Sequence, residues 1–424
     1  MKNILILDVA QQGNSGDDIM QQTLVDLTKK YGCVEPKLMT YFGSNEFEIA
    51  KSEFTFYEHE LDVSVIHGVA STHVLSSQTS VFLLFKRLLS VLNVFLFCLL
   101  VKVGLGKVYS KIFMNDMQRH AINEILNAHL IIWNGRNFRG SDRGGMRETL
   151  KVAELCLNPL VCMVLNKKMV NLGSSVWKLK SFFSKWILSK LIHSCETFYV
   201  RENTSLEYLV REFPSHIAGK VKYMPDLSLY TLSKSRPKFV ITDKDSKTVG
   251  LTLVGCLEIG DKDKFQYYLN TLSKVVSYLG KLNYKIVVVP QVTYSREPYS
   301  DALNFLQINN PEVDIKELET DGKIETLLAC YSNLDFLIAS RMHSAIFALS
   351  VDTPVYAIAY DVGAKWSILN EIGLMEEHLT SPETLNFSRV IEFIDLNSKL
   401  PIDNKNKLEE KSLLIENVFA EELA

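Results

Sequence analysis

Short apolar or β-branched runs recur along the chain, each trailed by a stretch whose apolar positions have helical spacing. In the first half these runs are Asn3 to Val9, Lys37 to Tyr41, Asp62 to Ile66, His129 to Trp133, Met169 to Gly173, Thr197 to Val200 and Val221 to Met224. The pattern restarts at Thr248 to Val254, Tyr284 to Val289, Val313 to Leu318, Asp335 to Ala339 and Pro354 to Ala359. Strands alternating with helices predict parallel sheets joined by right-handed crossovers. Between the two series, Ser233 to Lys247 is polar and charged and carries Pro237, so it reads as a linker. The expected fold is α/β: two Rossmann-like domains, residues 1–235 and 236–424, with parallel sheets and an inter-domain cleft. Ligands are expected outside the carboxyl ends of the strands.

One segment departs from this alternation. Leu88 to Val101 is a run of fourteen uncharged, mostly apolar residues, with Lys86 and Arg87 before it and Lys102 after it. At 1.5 Å per residue it spans roughly 21 Å, short of the ~30 Å hydrocarbon core, which makes it a poor transmembrane helix. Two readings remain: a helix buried between domains, or one lying in a membrane interface with its basic flanks near anionic lipid. The run is apolar all round, so periodicity does not separate them.

Composition narrows the function classes. With 47% hydrophobic and 22% charged residues in 424, the chain is a globular protein and not a disordered, collagenous or coiled-coil one. Lys plus Arg total 46 against 49 Asp plus Glu, so no global positive field favours nucleic acid as a partner. Seven cysteines are scattered without metal-ligand spacing and read as reduced thiols; no metal is expected. The N-terminus is apolar from Ile4 to Leu7 but carries Asp8 and has no signal-peptide pattern. The expected location is cytoplasmic, with contact at the inner face of the cell membrane if Leu88 to Val101 meets lipid.

The chemistry concentrates in Asp335 to Lys365. Asp335 to Ala339 reads as a strand, Ser340 as an N-cap and Met342 to Leu349 as a helix, which sets Arg341 and His343 at a strand-to-helix turn. Backbone N–H groups and the helix dipole attract an anion there, and an arginine adds a planar fork suited to phosphate or carboxylate. Histidine is the side chain whose ordinary pKa suits acid or base work near neutrality. The residues alone leave open a solvated Arg341 and a core or capping His343. Two Asp-x-Asp triplets, Asp243-Lys244-Asp245 and Asp261-Lys262-Asp263, are not read as metal sites. The first lies in the linker and the second opens a helical stretch, where acids suit the dipole.

The run Ser340-Arg341-Met342-His343-Ser344-Ala345-Ile346-Phe347-Ala348-Leu349, followed by Pro354-Val355, Tyr360-Asp361 and Lys365, resembles the C-terminal signature of the polysaccharide pyruvyl transferase family. Further pieces agree in order: Asn14-x-Gly16-Asp17, Val200-Arg201-x-x-x-Ser205, Pro225-Asp226 and Val289-Pro290-Gln291. The resemblance spans roughly residues 3 to 375 and implies a GT-B-like enzyme. Such an enzyme uses phosphoenolpyruvate as donor substrate, with no cofactor, to place a pyruvate ketal on a sugar or glycan acceptor of a surface polysaccharide or its precursor, lipid-linked or not. It further implies His343 as general acid/base, Arg201, Arg341 and Lys365 as donor-anion clamps, and Asn14 and Asp17 as substrate contacts. A solvated Arg201, a surface Lys365, and turn and N-cap roles for Asn14 and Asp17 stay open.

There is one departure from the family pattern. Where a glycine-rich loop is common after a strand, this chain has Trp133-Asn134-Gly135-Arg136-Asn137-Phe138-Arg139-Gly140. Arg136, Arg139 and Arg143 add positive charge, which suits either a diphosphate on the acceptor or a solvated loop. The alternative functions are a GT-B glycosyltransferase using a nucleotide-sugar and a non-catalytic glycan-binding member, because fold does not dictate function.

Overall fold

A computed structural model describes residues 3–10, 12–32, 34–40, 64–66, 68–69, 81–140, 144–235, 247–292, 299–320, 322–361, 363–396 and 404–424. The chain divides into two compact units: unit 1 holds Met1–Gln12, Gln21–Leu227 and Leu414–Ala424, and unit 2 holds Gly13–Met20 and Ser228–Leu413. The expected boundary at 235/236 borders residues 236–246, which lie outside the described residues along with Asp243-Lys244-Asp245. The segment 414–424 is tied into unit 1 by side chains, with Glu416 accepting from Lys30 Nζ at 2.6 Å and Glu422 from the Tyr199 hydroxyl at 2.9 Å.

The sheet of unit 1 is built from β1 (Ile4–Val9), β2 (Lys37–Thr40), β3 (Val65–Ile66), β4 (Leu130–Asn134), β5 (Asn137–Arg139), β6 (Met169–Trp177), β7 (Phe198–Val200) and β8 (Val221–Tyr223). Its order is β3-β2-β1-β4-β6-β7-β8, with β5 paired to β6 off this path, and every pairing is parallel. All six residues of β1 are buried, as expected of a central parallel strand covered on both faces. Trp133, Phe138 and Phe198 fill the core edge-to-face, with Trp133 at 5.8 Å from Phe138 and 6.0 Å from Phe198.

Unit 2 contains β9 (Thr248–Thr252), β10 (Lys285–Val288), β11 (Ile315–Glu317), β12 (Phe336–Ala339), β13 (Val355–Ile358) and β14 (Leu379–Thr380). Their order, β11-β10-β9-β12-β13-β14, is again all parallel. This is the Rossmann order 3-2-1-4-5-6, whose topological switch point lies between β9 and β12. In unit 1 the equivalent point lies between β1 and β4.

All twelve predicted runs form strands. The structure adds β5 and β14 and carries β6 on to Trp177. The glycines near β5 explain that addition. A Cβ on Gly135 would strike the Gly173 carbonyl and sit 2.5 Å from Ser174 N, and one on Gly140 would strike Lys178 O. Those glycines permit the close approach of β5 to β6.

The apolar run 88–101 lies in a helix, Val81–Lys102, that is not buried all round. Val91, Val94, Phe97 and Cys98 enter the unit 1 core, while Leu88, Leu92, Leu96 and Leu99 are exposed. Among the described residues no helix is long and apolar enough to cross a membrane.

Candidate functional site

At the unit 2 switch point β12 is followed by Ser340, whose N–H donates to Thr252 Oγ1 at 3.0 Å and to Thr252 O at 3.1 Å. The helix Met342–Ser350 follows, and its N-cap is Arg341, not Ser340 as the sequence suggests. The Ser340 hydroxyl is engaged elsewhere, 2.8 Å from the Tyr268 hydroxyl, in the core. Arg341 and His343 are both buried.

The Arg341 fork is held on two sides. Nε donates to Leu253 O at 3.1 Å and Nη2 to Glu258 Oε1 at 3.1 Å. Glu258 is itself oriented, since its Oε2 accepts from Gly255 N at 2.9 Å in the turn that opens the helix Cys256–Ile259. Arg341 is therefore not solvated: its charge is compensated and its plane aligned by a carboxylate 83 residues away in sequence. Glu258 had no signal in the sequence, because only the adjacency of β9 and β12 brings it there.

Lys365 is also drawn inward, contrary to the surface alternative. Its Nζ lies 3.1 Å from Asp361 Oδ2 and donates to the Tyr360 hydroxyl at 3.2 Å. Asp361 Oδ1 accepts from Trp366 Nε1 at 2.7 Å, so one carboxylate braces the lysine and the indole. Burial pushes the lysine pKa down, but Tyr360 and Asp361 outweigh it and the net shift is upward, which keeps the ammonium protonated. The Tyr360 ring joins the two cations, with Lys365 Nζ 4.8 Å and Arg341 Cζ 5.9 Å from its centre.

His343 is fitted against the chain's N-terminal loop. A Cβ at Gly16 would fall onto the imidazole Nδ1 and Cγ and lie 2.8 Å from the His343 Cβ. Only glycine admits this approach, which gives Asn14-x-Gly16-Asp17 a physical reason. Gln291 clamps the same loop. Its carbonyl accepts from Ser15 N at 3.1 Å and its Nε2 donates to Asn14 Oδ1 at 3.3 Å. Its Oε1 accepts from Ser344 N at 3.2 Å and Ser344 Oγ at 2.9 Å. Asn14 Oδ1 also accepts from Gly16 N at 3.3 Å, and Asn14 Nδ2 donates to Asp17 Oδ2 at 3.0 Å, so the turn and cap roles are filled. Asn14, Asp17, Arg341, His343 and Lys365 thus form one neighbourhood in unit 2. Gln291, quoted for its motif but not placed in the site, is the residue that ties the loop to the helix.

Arg201 sits in unit 1 and is buried, not solvated. Its Nε donates to Ser175 Oγ at 2.8 Å and its Nη1 to Asp226 Oδ2 at 2.9 Å. Glu202 lies 3.7 Å from the same Nε, and burial pushes its carboxyl up to about 7 despite the opposing pull of Arg201, Ser205 and Ser175. At the unit 1 switch point, Asp8 has a left-handed φ of 63°. Its Oδ2 accepts from Trp133 Nε1 at 3.0 Å and its Oδ1 from Asn158 Nδ2 at 2.8 Å. Arg136 Nη2 donates to the Asp8 carbonyl at 2.8 Å, so this arginine belongs to a packed cluster rather than a solvated loop. Arg143 lies outside the described residues.

Asp261 caps the helix Lys262–Lys281, accepting from Asp263 N at 2.9 Å and Lys264 N at 3.0 Å, as an acid at a helix start should. Among the described residues no group of three or more His, Cys, Asp or Glu side chains is placed to hold a metal ion.

Two Rossmann-type sheets, each in its own unit, with an arginine and a histidine at a strand-to-helix switch point, define a GT-B-like α/β enzyme. Solved structures similar to the chain share this fold. They include a UDP-N-acetylglucosamine 2-epimerase from Rickettsia bellii (TM-score 0.57, 12% identity, 99% of this chain and 95% of that one). A UDP-GlcNAc 2-epimerase from Neisseria meningitidis bound to UDP-GlcNAc has TM-score 0.55 and 11% identity over 99% and 100% of the two chains. A glycosyltransferase from Rickettsia africae has TM-score 0.52 and 14% identity over 100% and 95%. At such identities the likeness is one of fold. No curated protein matches the chain. The sequence model of the polysaccharide pyruvyl transferase family matches residues 75–362, and the chain belongs to that family. It is a pyruvyl transferase.

Proposed function

We propose that the donor is phosphoenolpyruvate, that unit 2 binds it, and that the acceptor is a hydroxyl pair on a sugar of a surface polysaccharide or its precursor. The observation that carries this is the placement of Arg341 and His343 at the β9/β12 switch point, with Lys365 drawn in beside Tyr360. Phosphoenolpyruvate presents a phosphate and a carboxylate, and a braced guanidinium plus a protonated, partly buried ammonium suit two anions. In the reaction the donor methylene takes up a proton and an acceptor oxygen bonds to C2. The bond from C2 to the phosphate oxygen breaks, and a second acceptor oxygen completes the ketal. The two hydroxyl protons balance the step, one ending on the new methyl group and one with departing inorganic phosphate.

His343 is assigned the proton transfers, with its ring held in place by Gly16 and its helix tied by Gln291. Asn14 and Asp17 are assigned the shaping of the loop that presents Gly16. Arg201, held by Asp226 and Ser175, is assigned a donor-anion contact on the family resemblance, and its alanine variant tests that through donor affinity. The decisive experiment incubates the protein with phosphoenolpyruvate and a panel of free and lipid-linked sugars. Acceptor-dependent phosphate release, matched by a mass increase on the sugar, is the expected result. Calorimetry in which a uridine or guanosine diphosphate sugar binds tightly while phosphoenolpyruvate does not would overturn the reading in favour of a nucleotide-sugar enzyme.

A further inference from the structure

The helix Val81–Lys102 and the next one, Gly106–Phe113, share a face that the unit 1 core does not use. Leu88, Leu92, Leu96, Leu99 and Val103 follow one another at spacings of three and four, so they line one side of the helix. Leu105, Val108, Ile112 and Phe113 continue the apolar surface, with Leu99 at 59%, Ile112 at 65% and Phe113 at 64% exposure. The opposite sides of the same helices are anchored: Val94, Phe97 and Tyr109 are buried together, and the Tyr109 hydroxyl bonds Asn93. A helix pinned along one side cannot turn its exposed leucines inward.

Charge says what covers them. No Asp or Glu occurs between Asp62 and Asp116, while Lys86, Arg87, Lys102, Lys107 and Lys111 all fall in that interval, in a chain of net charge −3. Lys102, Lys107 and Lys111 are exposed alongside the apolar side chains. A second copy docking through this face would set the same cations against one another, which is unfavourable for a symmetric contact. An anionic bilayer offers what the face lacks: an apolar layer for the leucines and negative headgroups for the lysines. We propose that unit 1 docks on anionic lipid through this two-helix face, lying in the interface without spanning it. The helix is thus buried on one side only, against the unit 1 core, and the other side is the one proposed for lipid.

The proposal stands apart from the donor assignment and is tested without catalysis, by flotation of the full chain with vesicles. Phosphatidylcholine alone is compared with equal parts phosphatidylcholine and phosphatidylglycerol. Binding to the anionic vesicles, weakened by added salt because the Debye length shortens, is expected. The triple variant Leu92→Ser, Leu96→Ser, Ile112→Ser should lower binding at least tenfold with an unchanged thermal midpoint, since all three side chains are exposed. Phe95 is unsuitable because it packs against the core. Lys102→Glu with Lys107→Glu and Lys111→Glu should also release the protein from anionic vesicles. Failure to bind either vesicle overturns the proposal. So does retained binding in both variants, or binding lost only on replacing Phe182, Phe183 and Trp186, the exposed aromatics of another helix. A dimer that the serine variant dissociates would assign the face to a second copy instead.

Discussion

The two switch points share a topology and differ in chemistry. In unit 1, between β1 and β4, the strand-end charge is a carboxylate: Asp8, in left-handed backbone, spends its oxygens on Trp133 and Asn158 while Arg136 closes over its carbonyl. In unit 2, between β9 and β12, the strand-end charge is the guanidinium of Arg341, followed by His343 in the first turn of a nine-residue helix. Both points carry an acid and an arginine. In unit 1 the acid is at the centre and the arginine covers it; in unit 2 the arginine is at the centre and Glu258 braces it. A helix N-terminus favours an anion at the second. Equivalent places in two copies of one architecture thus differ in which charge stands at the strand end, and the donor is proposed for the second.

Four measurements bear on that contrast. The largest effect is expected at His343. His343→Ala should lower turnover by ~10²–10⁴, the usual share of a general acid/base, while calorimetry still shows donor binding. Gly16→Ala should also lose turnover, because its Cβ must displace the ring. Loss of donor binding in His343→Ala with unchanged binding in Arg341→Ala would break the assignment of roles.

Asp8→Ala should come next, with stability falling by ~2–4 kcal/mol in denaturant unfolding. It leaves the buried Trp133 and Asn158 donors unpaired and puts alanine at a φ it disfavours. The folded fraction should bind donor normally; if it does not, the unit 1 switch point contributes to the ligand and the contrast fails.

Arg341→Ala should weaken donor affinity by ~10–100-fold, the order of one charge-assisted contact, with intact folding checked because Glu258 loses its partner. Arg136→Ala should leave donor affinity unchanged. Equal effects from the two arginines would erase the distinction between the switch points.

The smallest effect concerns Glu202. Its pKa is raised to about 7 in the fold against ~4.3 unfolded, so between those values the folded state binds more proton. Its contribution is present in full below the unfolded value and is lost as pH rises through about 7. Glu202→Gln should flatten that decline, read from unfolding midpoints across the range.

Much of this was legible from order alone. Buried parallel strands read as apolar runs, so twelve strands could be located, and the chain order of strand, Arg-x-His and helix placed the two residues at a turn. Ser340 is not the cap that a serine before a helix usually is. Here a hydroxyl partner, Tyr268, had been brought from a distant helix. The strand β5 was illegible because its three residues pair only through the close approach that Gly135 and Gly140 permit.

The linear pattern by itself determined which segments are strands, where the turn carrying Arg341 and His343 lies, and the family to which the chain belongs, since each depends on local spacing or on motifs in order. Tertiary structure alone decided which side of Val81–Lys102 is core, which carboxylates brace Arg341 and Arg201, and why residue 16 must be glycine. Those depend on partners separated by tens to hundreds of residues. A composition that is apolar all round carries no mark of which face will meet the sheet, and a contact that excludes a single methyl group leaves no trace until the backbones that make it are in place.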